Sequence, residues 1–177
     1  MKIRFPLILA LTLAALAVAG CGQKDSASAS ATASAATPAA TGPREIDLTA
    51  NDTMKYTFGD KQSGPGTPLI IEAKVGEQLK VVLTNAGTQP KEVMGHNWIL
   101  LKAGSDAAAF ANAAVAAKDT NYVPAALKDQ IIANIDLLGP RKSGEAVFTV
   151  TTAGEYPFLC SFPAHFAVGM TGKLIVK

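Results

Sequence analysis

The feature that most constrains the fold of this 177-residue chain is the spacing of a few metal-binding side chains near its C-terminus. Four residues separate Cys160 from His165, and four more separate His165 from Met170. The chain has one other histidine, His96, which lies far upstream. If these side chains hold one ion, the ends of two distant strands must meet beside a loop that turns back on itself.

The donor types predict copper. One thiolate, two imidazoles and a weak thioether form the His₂Cys set with an axial Met that is typical of blue-copper electron-transfer sites. His96, Cys160 and His165 would surround the ion, and Met170 would be the weak axial ligand. Gly95 would bring its backbone carbonyl to the opposite side, because glycine lets the backbone approach closely. We therefore expect one copper ion per domain.

Four of these five residues also have a structural interpretation. A single histidine is as often a hydrogen-bonded core residue as a ligand, but both histidines of the chain fall in the pattern. Met170 would otherwise fill a gap in the core, as methionine commonly does. Gly95 would otherwise be an ordinary turn glycine.

The N-terminus predicts export and a lipid anchor. Lys2 and Arg4 precede an apolar run over 6–19, which is short for a membrane span and leads directly into small residues. The segment ending at Cys21 resembles a bacterial lipobox, so residues 1–20 are a predicted lipoprotein signal peptide and Cys21 the lipidated residue. Because Gly22 follows, we expect outer-membrane attachment, facing the periplasm or the exterior. The alternative is an ordinary signal peptide with a chance cysteine.

Residues 21–43 and 44–177 differ in character. After Cys21, the first segment is rich in Ser, Ala and Thr and predicts a flexible linker, because it has too little apolar surface to offset its chain entropy. The second is long enough for one domain with a real core. Without Lys2 and Arg4 the chain has fourteen basic and fourteen acidic residues. A neutral chain lacks the basic face that nucleic-acid binding needs.

The domain alternates short apolar segments with turns, which predicts an all-β, Greek-key β-sandwich of seven to eight strands with one helical insertion. Ser105 and Asp106 begin the predicted helix, which continues through Lys118 and would place Phe110 and Val115 against the sandwich. A loop with a short helix is predicted over 123–132. The predicted strands cover 45–49, 54–58, 69–74, 78–84, 97–101, 145–151, 156–160 and 171–176.

Several segments resemble azurins, and the likeness covers nearly all of residues 44–177. The spacing of four residues between His165 and Met170 differs from the three of azurins and resembles the auracyanins, which are related membrane-tethered blue copper proteins. Because of this additional residue, the distance from Met170 to the metal need not match that in azurins. The segments that carry the resemblance are Pro90–Trp98, Asn51–Met54, Leu138–Gly139, Val147–Phe148 and Gly172–Leu174.

The chain is thereby identified as a member of the cupredoxin family, in a lipoprotein form. The resemblance implies a copper-binding β-sandwich that shuttles single electrons. It also implies His96, Cys160 and His165 as equatorial ligands, with Met170 and the Gly95 carbonyl axial. The backbone N–H groups of Asn97 and Phe162 would then hydrogen-bond the sulfur of Cys160 and tune the potential.

Apolar residues surround His165, and an apolar patch around one ligand suits brief docking with another redox protein. Partners of this kind include c-type cytochromes, terminal oxidases and reductases. Some of these residues would also shield the metal from water. Because the patch is uncharged, we expect association to depend only weakly on salt. The residues are Phe162, Pro163, Ala164, Phe166, Ala167 and Val168, joined through the resemblance by Met54, Val93 and Met94.

Other function classes explain the residues less well. A multicopper oxidase or nitrite reductase needs further histidines, and the chain has none. A cysteine hydrolase would use Cys160 and one histidine, which leaves the second histidine and Met170 unexplained. A periplasmic copper-binding or delivery protein is the main alternative, but such proteins use Met- or Cys-rich clusters. We therefore predict an electron carrier and no enzyme activity.

Overall fold

A computed structural model describes residues 42–177, so the predicted signal peptide, the lipidation site at Cys21 and most of the predicted linker lie outside the described residues. Two five-stranded sheets form a sandwich, which confirms the predicted fold class. No helix in the described part is both long and apolar enough to cross a membrane. The ten strands are β1 (Arg44–Asn51), β2 (Lys55–Phe58), β3 (Lys61–Gln62), β4 (Leu69–Ala73), β5 (Gln78–Asn85), β6 (His96–Leu101), β7 (Ile131–Leu138), β8 (Ser143–Thr149), β9 (Gly154–Leu159) and β10 (Thr171–Val176).

The first sheet has the order β3-β2-β1-β5-β8, and the second has the order β4-β10-β9-β6-β7. Most neighbouring strands are antiparallel, but β1 runs parallel to β5 and β10 runs parallel to β4. The chain passes between the two sheets several times. These crossings bring the start of β6, the end of β9 and the start of β10 to the same end of the sandwich.

The main core lies between the sheets. In β1 and β5 buried and more exposed residues alternate, as expected of strands with one face on a core. Ile46, Leu48, Val81 and Leu83 contribute to the core and are at most 1% exposed. The alternation of apolar and polar residues in β1 and β5 therefore predicts correctly which face packs against the opposite sheet.

The strand β6 is buried along its whole length, because its two faces pack against different partners. Trp98 and Leu100 point into the main core, whereas Ile99 and Leu101 belong to a second cluster together with Phe110. Phe110 lies on the helix α2 (Ala107–Ala114), which covers the outer face of the second sheet. The continuous apolar run of β6 thus reflects burial on both faces.

The helical insertion is shorter than the sequence predicts. Asp106 caps α2 by accepting hydrogen bonds from the N–H groups of Ala108 and Ala109 at 2.9 and 3.0 Å. The helix ends at Ala114, and 3₁₀ turns over Lys118–Thr120 and Ala125–Gln130 follow. The predicted contact of Phe110 is confirmed. The predicted contact of Val115 is wrong, because that side chain follows the last helical residue and is 57% exposed.

The structure adds β3, β7 and a short helix, α1 (Lys91–Met94), to the predicted elements. The two residues of β3 lie within 59–68, a segment whose three glycines and two prolines predict a loop. In β7 the first three residues are half-buried, and exposed and buried residues alternate only over 134–137. Its pairing with β6 is further interrupted by register shifts.

Candidate metal centre

The three predicted equatorial donors lie at one end of the sandwich. His96 is the first residue of β6, where it pairs with Leu138 at the end of β7. Cys160 immediately follows β9, and Met170 immediately precedes β10. His165 lies in the loop between β9 and β10, midway between Cys160 and Met170.

The donor atoms of His96, Cys160 and His165 all lie within 4.8 Å of one another. The Sγ atom of Cys160 is 3.4 Å from Nδ1 of His165, and the rings of the two histidines are 4.8 Å apart between centroids. All three side chains are at most 1% exposed. The chain therefore assembles one thiol and two imidazoles into a single buried group.

The loop between β9 and β10 is held by its own backbone hydrogen bonds. The N–H of Cys160 donates to the carbonyl of Met170 at 3.1 Å, and the N–H of Met170 donates to the carbonyl of His165 at 2.9 Å. The N–H of His165 in turn donates to the carbonyl of Phe162 at 3.1 Å. These bonds close the loop into a compact turn and fix the ring of His165 beside the sulfur.

Two glycines are required by close packing. Gly169 has a φ of +92°, and a Cβ atom there would lie 2.2 Å from the backbone of Gly64. Gly95 has an ordinary backbone conformation, but a Cβ atom there would lie 2.6 Å from the carbonyl oxygen of Lys91 and 2.9 Å from Leu137. A side chain at Gly95 would push α1 away from β7 directly beside His96.

The side chain of Asn97 joins the two ligand-bearing segments. Its Oδ1 accepts a hydrogen bond from the backbone N–H of Ser161 at 2.8 Å, and its Nδ2 donates to Oγ of Ser161, also at 2.8 Å. The Ser161 hydroxyl donates to the carbonyl of Tyr122 at 2.6 Å, and the hydroxyl of Tyr56 donates to the carbonyl of Asn97. All of these groups are buried.

Sequence reasoning names Asn97 but misses Ser161, Tyr122 and Tyr56. The sequence around these three residues contains no motif that would have identified them. Their roles depend on pairings between residues that are 39, 41 and 64 positions apart.

Burial raises the pKa of the Cys160 thiol to about 12 in the chain without a metal. The backbone N–H groups of Asn97 and Phe162 act in the opposite direction on the sulfur, because they favour the thiolate. Burial outweighs them, so the thiol keeps its proton near neutral pH. A metal ion would have to displace that proton in order to bind.

Both histidines are neutral near pH 7. Burial lowers the pKa of His96 to about 4, although the Asp52 carboxylate acts in the opposite direction. Burial, together with the nearby His96, lowers the pKa of His165 to about 3. A neutral imidazole offers the lone pair that a metal ion needs.

The residues fit copper. Neither ring nitrogen of His96 has a hydrogen-bond partner, although both nitrogens are buried. An unsatisfied buried polar atom is costly and calls for an explanation such as an ion. Cys160 is a free, buried thiol. One soft thiolate donor and two imidazole donors are the set that copper-binding electron-transfer sites use. Met170 is fully buried beside this group. Its axial role, like that of the Gly95 carbonyl, stays a prediction.

Comparison with known proteins identifies the family. A family model for copper-binding proteins of the plastocyanin/azurin family matches residues 67–177. The chain is 33% identical to an azurin of Pseudomonas denitrificans over 138 residues, which is 75% of this chain and 97% of that azurin. It is 38% identical to auracyanin-A of Chloroflexus aurantiacus over 128 residues, which is 65% of this chain and 78% of auracyanin-A.

A solved structure shows the same fold. The dithionite-reduced auracyanin of Roseiflexus castenholzii aligns with a TM-score of 0.62 at 30% identity, over 77% of this chain and 99% of that protein. The resemblance seen in the sequence is therefore confirmed, and with it the expectation of a copper cofactor. The chain belongs to the plastocyanin/azurin family of copper-binding proteins, with one copper ion as its cofactor.

Proposed function

We propose that this protein carries single electrons between redox proteins by means of one blue copper ion, held by His96, Cys160 and His165, with Met170 and the Gly95 carbonyl as weak axial ligands. One observation supports this function above the others. A thiol and two neutral imidazoles form a buried group whose donor atoms lie within 4.8 Å of one another, and the chain belongs to the plastocyanin/azurin family. When bound, copper would supply the one-electron couple between Cu(II) and Cu(I).

The surrounding residues favour electron transfer over catalysis. The three side chains are buried, so water and substrates are kept from the metal. The hydrogen bonds of Asn97 and Ser161 and those within the loop after Cys160 fix the donors in place. A site that is already arranged has little to rearrange when an electron arrives or leaves, which keeps the barrier to electron transfer low.

An apolar surface at the metal end of the sandwich supports docking with partners. We call it the end patch and define it by Met54, Val93, Met94, Pro163, Ala164, Phe166, Ala167 and Val168. Val93, Ala164 and Ala167 are exposed, and the others are half-buried. Phe162, by contrast, is buried against His165 and belongs to the site. A partner that docks on the end patch would have its cofactor close to His165, and c-type cytochromes, oxidases and reductases are the partner classes we propose.

The location of the protein is a further part of the proposal. The sequence ending at Cys21 supports cleavage of residues 1–20 and lipidation of Cys21, with attachment to the outer membrane on the periplasmic or outer side. Several acyl chains on one residue hold a protein at a membrane surface, since each buried CH₂ contributes about 0.8 kcal/mol. Mass spectrometry of the protein from a bacterial host tests this. A mature chain that begins at an unmodified residue would exclude the anchor.

Reversible redox cycling of the copper-loaded full chain in the presence of a strong Cu(I) chelator tests the carrier function. An electron carrier should keep its copper through repeated reduction with ascorbate and reoxidation, because the closed donor set gives the chelator no access. Transfer of the copper to the chelator within the first reduced interval would contradict this and would instead indicate a copper-delivery protein.

A further inference from the structure

Tyr56 is a buried tyrosine on β2 whose hydroxyl group reaches the strand that begins with His96. The side chain is 0% exposed, and its ring lies in the main core, 5.8 Å from the ring of Phe158 between centroids. The hydroxyl donates a hydrogen bond to the backbone carbonyl of Asn97, the residue directly after His96. Tyr56 therefore connects the first sheet to the ligand-bearing end of the second.

Asn97 lies at an interruption of the second sheet. The pairing of β6 with β7 shifts register between His96 and Trp98, and within the described chain neither β7 nor β9 pairs with Asn97. An irregularity of this kind leaves backbone groups outside the ladder and is common beside functional sites, where it redirects a side chain. The Tyr56 hydroxyl supplies a hydrogen-bond partner for the Asn97 carbonyl at this interruption.

The backbone of Asn97 also faces the metal centre. Its N–H is one of the two backbone N–H groups that act on the sulfur of Cys160 and favour the thiolate. Its side chain is fixed by two hydrogen bonds to Ser161, each 2.8 Å long. Because a residue has only two soft backbone dihedrals, a bond that fixes the carbonyl also restricts the direction of the N–H. The hydroxyl of Tyr56 thus completes the fixation of Asn97.

Tyr56 is itself held firmly. Its N–H donates to Oγ of Ser63 at 2.9 Å, and its carbonyl accepts from the N–H of Ser63 at 2.8 Å. The next residue, Gly64, packs so closely against Gly169 that a Cβ atom on Gly169 would lie 2.2 Å from the Gly64 backbone. Burial, together with the nearby Cys160, raises the pKa of Tyr56 well above its ordinary value. The hydroxyl therefore keeps its proton near neutral pH and remains a donor.

We propose that Tyr56 is a positioning residue of the copper centre, whose hydroxyl holds the Asn97 N–H on the sulfur of Cys160 and thereby raises the reduction potential. A hydrogen bond to the thiolate withdraws electron density from the sulfur, which favours Cu(I) over Cu(II), and hydrogen bonding around this sulfur tunes the potential of such sites. Tyr56 supplies no donor atom to the ion and acts through Asn97. This inference rests on the proposed electron-carrier function.

Two variants separate this role from the general effect of a lost hydrogen bond. Tyr56→Phe removes the hydroxyl and keeps the ring in the core. The matched control is Tyr156→Phe, which removes a hydroxyl that donates to the carbonyl of Thr152 at 2.7 Å. Tyr156 lies near the start of β9, at the opposite end of that strand from Cys160. Each variant therefore loses one hydrogen bond from a tyrosine to a backbone carbonyl.

The link to Asn97 is tested on the full chain without copper, so that the result does not depend on the carrier function. Hydrogen exchange of the Asn97 amide is measured by NMR relative to that of Val81 in the core, which corrects for any loss of global stability. We expect the relative rate to rise at least tenfold in Tyr56→Phe and to stay unchanged in Tyr156→Phe. An unchanged relative rate in Tyr56→Phe, or an equal rise in both variants, would overturn the link.

The effect on the copper centre is tested by potentiometry of the copper-loaded full chains. At a fixed ambient potential we expect the ratio of Cu(II) to Cu(I) to be at least threefold higher in Tyr56→Phe than in the unsubstituted chain, which corresponds to a potential lower by about 28 mV. The ratio should not change in Tyr156→Phe. Equal ratios in all three proteins, or equal shifts in both variants, would overturn the positioning role. If the unsubstituted chain forms no blue copper site, the carrier function fails and this role fails with it, while the hydrogen-exchange result still decides the link to Asn97.

Discussion

At the scale of single residues, the fold holds the donors of the metal centre in their neutral forms. Burial alone would keep Cys160 protonated, and two N–H groups aimed at the sulfur only reduce that effect. The same burial keeps His96 and His165 unprotonated. A cation that displaces the thiol proton gains a thiolate in surroundings with few competing donors, so the apo protein is arranged for metal binding before the metal arrives.

The variant Met170→Leu distinguishes an axial role of Met170 from simple core packing. Replacing it with leucine conserves volume and should change the free energy of unfolding of the metal-free chain by less than about 1.5 kcal/mol. Because a thioether near the metal favours Cu(I) and Cu(II) differently from a methyl group, the reduction potential of the loaded protein should shift while the blue colour remains. Potentiometry on both proteins checks this, and identical potentials would show that Met170 only fills the core.

Ser161 connects three buried segments through one hydroxyl group. Ser161→Ala should lower the free energy of unfolding by about 1–3 kcal/mol, because Nδ2 of Asn97 and the carbonyl of Tyr122 lose a buried partner. The matched control is Ser143→Ala, whose hydroxyl lies 2.8 Å from that of Thr84 at the surface. It should change stability by less than about 0.5 kcal/mol. Denaturant unfolding measures both, and equal losses would show that the buried bridge contributes little.

At the scale of elements, the metal centre depends on where strands begin and end. His96 begins β6, Cys160 follows β9, and Met170 precedes β10, so the sheet fixes three positions and the loop has to place only His165. This arrangement explains why donors so far apart in sequence can be recognised from the sequence. The spacing of Cys160, His165 and Met170 indicates a loop between two paired strands. His96, at the start of another strand, supplies the remaining donor.

The helical insertion is an element whose packing can be tested directly. Phe110 is fully buried in the cluster with Ile99 and Leu159. Phe110→Ala should therefore lower the free energy of unfolding by about 3–5 kcal/mol. Val115→Ala, one position beyond the end of α2, removes an exposed side chain and should cost less than about 0.5 kcal/mol. If both variants unfold at the same denaturant concentration, α2 does not cover the sheet as described.

Sequence reasoning succeeds where a local pattern has one physical cause. Eight strands were predictable because alternation or short apolar runs between turn residues reflect burial against a core. The strand β7 was not, because its first three residues are half-buried against the two core clusters and alternation is confined to 134–137. The end of α2 was missed because alanines continue past Ala114 and no residue there signals a stop. The role of Tyr122 depends on tertiary contacts that no local pattern contains.

At the scale of the whole molecule, the sandwich has two different ends. The metal centre and the end patch occupy one end. At the other, Arg44 at the start of β1 pairs with Glu77 and donates to the carbonyl of Glu72, next to Lys177. The strand β1 thus begins at the end opposite to the metal.

The whole molecule should become less stable in mild acid when copper is absent. The pKa values of His96 and His165 are lowered in the folded chain, so between about pH 6.5 and pH 4 the unfolded chain binds more protons. Stability should therefore fall as the pH drops from 7 to 5, above the range where carboxylates titrate. Urea unfolding at several pH values measures the slope. A slope that is unchanged in His96→Asn combined with His165→Asn would contradict this origin.

The most direct test of the copper carrier is a titration of the metal-free full chain with Cu(II), followed by visible absorption and electron paramagnetic resonance. We predict that one equivalent produces an intense blue band with narrow copper hyperfine splitting. The band should be lost on reduction, restored on reoxidation and absent from Cys160→Ser. A colourless complex, a wide hyperfine splitting, or a blue band that persists in Cys160→Ser would contradict the assignment of Cys160, His96 and His165 as the copper site.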